Sequence, residues 1–168
     1  MNFKNIIFKI LLFFLFQTTN VYSNDIVYID LDQLFSDSTK GKKIISKLND
    51  INKKNQEQLK IKENEIIILK EELDKQKNIL NQEELNKKIL NINNIAKEFS
   101  DLRQNIIRNY EKIKNDELKM FFNDISPLLQ EYMSNKSIKI IFDKKNIFLA
   151  NNDYDVTSEI LEIIEKSF

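Results

Sequence analysis

Two carboxylates one residue apart, Asp30 and Asp32, are the nearest approach to a reactive constellation in this sequence. Alternate residues of an extended strand share a face, so the pair could offer oxygen ligands to a divalent cation. No further ligand clusters with them, and two acids at a strand end act more often as a cap or a solvated turn. The sequence has no His and no Cys, which removes imidazole bases, thiolate nucleophiles and the common zinc ligands. Ser and Thr are present, but no His can activate them as in a triad. A lone glycine, Gly41, makes no phosphate loop. These residues predict a protein with no catalytic site, no cofactor and no metal. Its function must then lie in its surfaces.

The first residues bear on compartment. Lys4 and Lys9 give a basic start, and no acidic residue precedes Asp25. Residues 10–16 form a wholly apolar run, too short for a stable membrane span. Val21 and Ser23 are small enough for the pockets of a signal peptidase. Basic, apolar, then small is the secretory pattern, which predicts a signal peptide over 1–23 and cleavage after about Ser23. The rival is an uncleaved anchor. No second apolar stretch of membrane length follows, and a chain without Cys needs neither disulfides nor thiol protection in an oxidising compartment.

Three periods divide the rest of the chain. Ile26-Val27-Tyr28-Ile29-Asp30-Leu31 is β-branched and aromatic and reads as a strand. From about Thr39 to Ser134 the pattern is helical, and only Gly41 and Pro127 bracket it. Residues 137–142 and 146–150 read as two strands of a hairpin joined by Asp143-Lys144-Lys145. A last helix begins near Thr157, with the Thr hydroxyl as its expected cap and Ile160, Leu161, Ile163 and Ile164 as its apolar face. The predicted divisions are an N-terminal strand over 24–38, a helical hairpin over 39–134, and a β-hairpin with helix over 135–168. The fold class is mainly α with a small β part.

Within the helical stretch, Asn81 followed by Glu84 is a capping-box signature. It predicts helices over about 40–80 and 82–134 joined by a tight turn near 81, hence antiparallel. Spacing by three and four gives the seam. One helix offers Asn55, Leu59, Lys62, Ile66, Leu69, Leu73 and Leu80, and the other offers Leu85, Ile92, Ala96, Phe99, Arg103, Ile106 and Tyr110. One register opposes Leu80 to Leu85, Leu73 to Ile92, Leu69 to Ala96, Ile66 to Phe99 and Leu59 to Ile106. The same register sets Lys62 against Arg103. They are expected either to reach outward to water and nearby Glu residues or to mark a loosened waist.

Charge is segregated although the whole sequence is neutral. Residues 40–118 hold 18 Lys and Arg against 14 Asp and Glu, while the remainder after residue 23 holds 6 against 12. The basic excess lies near the start of the first long helix, at Lys40, Lys42, Lys43, Lys47, Lys53 and Lys54. That is either a solvated face or a surface for an acidic partner or anionic lipid. Export argues against nucleic acid. Three short strands and a short helix bury too little to make a core, and open strand edges invite another chain, so oligomerisation is expected.

The order strand, long hairpin, strands and end helix resembles the Skp (OmpH-like) family of periplasmic chaperones. The residues that carry the likeness are Ile26-Val27-Tyr28-Ile29-Asp30-Leu31-Asp32-Gln33-Leu34-Phe35 and Ser38-Thr39-Lys40-Gly41-Lys42-Lys43 at one end. At the other they are Ile138-Lys139-Ile140-Ile141-Phe142-Asp143, Asn146-Ile147-Phe148-Leu149-Ala150 and Asp155-Val156-Thr157-Ser158-Glu159-Ile160. The helices between match only in period. The resemblance implies a homotrimer whose short strands build a shared β-body, here Ile26, Tyr28, Leu31, Ile138, Ile140, Phe142 and Phe148. It further implies coiled-coil tentacles that hold unfolded outer-membrane β-barrel proteins in the periplasm without ATP. Charge over residues 60–90 is balanced, unlike strongly basic tentacle tips, so any contact with anionic lipid is expected to be weak.

Holding an aggregation-prone chain needs many weak contacts rather than one deep pocket. Residues flanking the seam are the candidates: apolar Ile61, Ile67, Ile68, Ile107, Met120 and Phe121, and basic Lys53, Lys54, Lys60 and Arg108. Each could instead only complete helix packing. The competing function is a structural coiled-coil protein of the envelope, which would have no need of the terminal strands.

Overall fold

A computed structural model describes residues 25–168, so the predicted signal peptide lies outside the described residues. Strand β1 (Ile26–Ile29) leads into a short helix α1 (Leu31–Asp37), then α2 (Thr39–Gln76), α3 (Gln82–Lys136), strand β2 (Ile140–Asp143) and α4 (Thr157–Ser167). Two single-turn 3₁₀ segments, Lys144–Asn146 and Asn152–Tyr154, lie between β2 and α4. At the ~1.5 Å rise of a helix, α2 is roughly 57 Å long and α3 roughly 80 Å.

Local chemistry explains each boundary. The Asp30 side chain accepts the Gln33 amide at 3.0 Å and starts α1 where a strand was expected to continue through Leu31. Ser38 closes α1 and opens α2, its hydroxyl accepting the Gly41 amide at 3.1 Å. At the far end the capping box forms: the Glu84 amide donates to Asn81 at 2.9 Å, and the Asn81 amide to Glu84 at 3.4 Å. Helix α2 stops at Gln76, four residues before the expected end, so Leu80 sits in the turn. Helix α3 carries Pro127 inside it and ends at Ser137, which adopts the left-handed conformation (φ 57°, ψ 30°). The Ile138 amide then donates to the Met133 carbonyl at 2.9 Å, the longer bond of a Schellman closure.

The sheet differs from the expected hairpin. β1 and β2 pair in parallel, with Ile26 opposite Ile140, Val27 opposite Ile141, Tyr28 opposite Phe142 and Ile29 opposite Asp143. Parallel neighbours require a long crossover, and the helical hairpin serves as it. Residues 146–150 form no strand, because Lys144–Asn146 turns as a 3₁₀ segment and carries the chain off the sheet. On its other side β1 meets the bend before α4: Tyr28 bridges Asp155, and the Val156 amide donates to the Tyr28 carbonyl at 3.0 Å. Thr157 does not cap α4. Its hydroxyl accepts the Asp30 amide at 2.9 Å, and the Asp155 carboxylate takes the Thr157 amide instead at 3.0 Å.

The core resolves the burial problem within one chain. Val27, Ile29 and Leu34 meet Ile44 and Leu48 of α2, Phe121, Ile125 and Tyr132 of α3, and Ile160 and Ile164 of α4. The base of the hairpin thus supplies the apolar surface that the short elements lack. Phe121 is wholly buried, with the ring of Phe35 edge-on at 5.1 Å.

Candidate functional site

Asp30 and Asp32 are held by neighbours. Asp30 caps α1 and also meets Lys144 at 3.3 Å, while Asp32 meets Lys145 at 2.6 Å. The Gln33 amide, and after it Lys144, holds the Asp30 carboxyl below its ordinary range. Among the described residues no group of three or more acidic side chains is placed to hold a metal. The two acids act as a cap and as ion-pair partners of the turn after β2.

Along the hairpin, Leu59, Lys62, Leu69, Leu73, Leu85, Ala96, Phe99 and Ile106 are half-buried, and Ile66 and Ile92 are buried. Asn55, Leu59, Ile106 and Tyr110 surround one small cavity of about 200 Å³ between the helices. Arg103 takes the outward of its two expected positions. It is exposed, and the adjacent Leu102 is half-buried instead. No like-charge layer forms: the seam steps by three from Phe99 to Leu102 and by four to Ile106, which leaves the Arg103 charge in water. Lys62 donates to Glu65 at 2.8 Å, and that carboxylate raises the Lys62 pKa, with Glu98 adding to it.

The proposed contact residues separate by exposure. Ile61, Ile67, Ile68, Ile107 and Met120 are 68, 48, 55, 53 and 51% exposed. Lys53, Lys54, Lys60 and Arg108 are exposed as well, with Arg108 donating to Asn105. Phe121 is the correction: a fully buried ring between Phe35 and Phe122 offers no surface to a partner. Periodicity could not show this, because the short helix that covers Phe121 comes from the other end of the chain.

The body presents a second apolar surface. Ile26, Ile140 and Phe142 are nearly half-exposed on the sheet, and Phe148 and Leu149 are 104 and 87% exposed beside it. A groove of about 420 Å³ runs between Ile26, Phe142, Ile147, Leu149 and Tyr154. A second, of about 500 Å³, lies between Leu31, Phe122, Leu129, Met133 and Ile140. Leu31 therefore lines a groove from a helix rather than from a strand, and Tyr28 and Ile138 are buried in the chain's own core. Leu149 and Tyr154 were not singled out by sequence. An Asn-Asn-Asp turn after an apolar run was the available signal.

Electrostatic ties fasten the hairpin base. The Glu165 carboxylate accepts the Thr39 amide at 2.6 Å and the Thr39 hydroxyl at 2.7 Å, capping α2 from α4. These Thr39 bonds hold the Glu165 pKa below its ordinary value, with Lys42 and Lys43 helping. Lys40 pairs with Asp124 at 2.7 Å, and Lys47 pairs with Glu117. Tyr132 donates to Glu159 at 2.7 Å, and burial above all pushes its hydroxyl pKa up. No helix among the described residues is long and apolar enough to cross a membrane.

This architecture is shared with a solved structure. The crystal structure of an OmpH-like protein from Caulobacter crescentus CB15, a candidate outer membrane chaperone, superposes with a TM-score of 0.77. It is 15% identical, and the match covers 86% of this chain and 85% of that one. At that identity the likeness is one of fold. No curated protein matches the sequence. The family of outer membrane proteins described as OmpH-like matches residues 25–164, nearly all that the structure describes, and the chain belongs to that family.

Proposed function

We propose that this protein is an exported, ATP-independent holdase chaperone that binds unfolded outer-membrane β-barrel proteins in the periplasm and keeps them from aggregating. Membership of the OmpH-like family supports a chaperone role. The observation that carries the reading is the pairing of two kinds of exposed apolar surface. One is on the hairpin, at Ile61, Ile67 and Ile68, and the other is on the body, at Ile26, Ile140, Phe142, Phe148 and Leu149. Isolated exposed apolar residues are ordinary, but a contiguous patch marks an interaction site.

In this reading the body surface joins three copies and the hairpin surface meets the client. Sheet edges and grooves of the body associate as a homotrimer, and the hairpins project from it as tentacles around a cavity. Clients are held by many weak contacts, so nucleotide is not needed for release. Anionic lipid is at most a weak partner. A structural spacer of the envelope would use the same hairpin, but it gives no role to the apolar groove beside β1.

The test is direct. A urea-unfolded outer-membrane β-barrel is diluted with and without the purified protein lacking residues 1–23, and light scattering is followed beside a native mass. Suppressed scattering at near-stoichiometric trimer supports the reading. Undiminished scattering, or a mass of one chain, would sink it.

A further inference from the structure

The exposed residues of α2 are not scattered. Lys53, Lys60 and Ile67 follow one another at seven-residue intervals, and Lys54, Ile61 and Ile68 do the same beside them. Seven residues are nearly two helical turns, so each set drifts only ~20° per step and stays on one side of the helix. All six are exposed, whereas Leu59, Ile66 and Leu69 face the seam. Helix α2 thus packs one side against α3 and leaves three isoleucines, Ile61, Ile67 and Ile68, uncovered on the other.

The two rows form a stripe of roughly 22 Å from Lys53 to Ile68 at the ~1.5 Å rise of a helix. It is graded. The end towards the body carries Lys53, Lys54 and Lys60 around a single Glu57, and the end towards the tip is isoleucine. Lys53, Lys54 and Lys60 form no ion pair among the described residues, while neighbouring Lys47 and Lys62 do. The outward side of α3 differs. Lys97, Gln104 and Glu111 follow there at the same interval, exposed and polar, while the exposed apolar residues of α3 (Ile89 and Leu90, then Ile107, then Met120) are spread along its length.

We infer that this side of α2, and not the outward side of α3, is where the hairpin holds an unfolded chain. The occupant is an extended segment, apolar along one face and acidic at one end. Such a segment covers 22 Å with about seven residues, slightly less than one strand of a membrane β-barrel. Unpaired lysines draw the acidic end, and the isoleucines shield the apolar side from edge-to-edge aggregation. The inference rests on the holdase reading and adds which helix, which face and which direction.

The experiment places a photo-crosslinking residue at Ile68 or at Gln104 in the full chain lacking residues 1–23. Each variant is mixed with a urea-unfolded outer-membrane β-barrel, with phosphatidylglycerol vesicles, or with nothing. The inference expects client adducts from Ile68 in clear excess over Gln104. Ile61→Ser with Ile68→Ser should then need roughly fivefold more protein for half-suppression of aggregation, as a multivalent contact loses part of its surface. The thermal midpoint should not move. Equal or stronger client adducts from Gln104, in a protein that still suppresses aggregation, would overturn the stripe and leave the holdase reading standing. Adducts from Ile68 only to lipid, or only to a second copy, would overturn it too. If the unsubstituted protein suppresses nothing, the holdase reading fails first and the stripe falls with it.

Discussion

Gly41 lies directly under the carbonyl oxygen of Phe35: a Cβ added to Gly41 would stand 1.6 Å from that oxygen. The chain doubles back there between α1 and α2, and only hydrogen fits. Its one glycine is therefore spent on a close approach. Replacement by Ala gains helix propensity, but it must force the two helices apart and disturb the Ser38 cap. The expected net loss for Gly41→Ala is about 2 kcal/mol, within the range of overpacked cores. A lower urea midpoint at unchanged slope would show it. An unchanged midpoint would mean that the turn yields easily.

Phe121 and Ile68 should behave oppositely despite similar sequence surroundings. Phe121→Ala removes a buried ring from the core and should cost about 3–5 kcal/mol. Ile68→Ser, on an exposed side chain, should stay within about 0.5 kcal/mol. Chemical denaturation of both separates core from surface. Comparable losses would put Ile68 in a packed interface.

Ser137 holds the left-handed conformation that closes α3. A side chain there costs roughly 1 kcal/mol relative to glycine, so Ser137→Gly should stabilise by somewhat less than that. A thermal melt should rise by a few degrees for a domain of this size. A fall in the melting temperature would show that the Ser137 side chain contributes more than its conformation costs.

Glu165 predicts a pH dependence at the hairpin base. Its folded pKa is below the ordinary 4.5, so the unfolded chain binds the proton more tightly. Its stabilisation is then fully present above pH 4.5 and is lost as pH falls through the folded value. Glu165→Gln should flatten that part of the stability-against-pH curve and leave neutral behaviour close to its own plateau. Parallel curves for the two proteins would remove Glu165 from the account.

Ile140→Asp tests the body as an assembly surface. Ile140 is exposed at 43% in the single chain, so a carboxylate there should leave the monomer's fold intact. Buried against a partner, it would be an unpaired charge costing several kcal/mol. The expected outcome is a helical protein with the mass of one chain. A stable trimer would assign assembly to the hairpins alone.

What could be read from the chain by itself was local or periodic. The capping box at Asn81 and Glu84 lies within four residues. The hairpin's inward side repeats every three and four residues, so a long antiparallel pair follows without knowledge of anything else. The tertiary structure decided the features set by distant partners. β2 runs parallel to β1 because the hairpin returns the chain to the same end. Phe121 is covered because α1 folds over it. Leu102 rather than Arg103 turns inward because the opposite helix excludes a buried charge. Residues 146–150 have the composition of a strand, but the 3₁₀ turn at Lys144–Asn146 takes them off the sheet, and strand composition pairs only where an edge is offered.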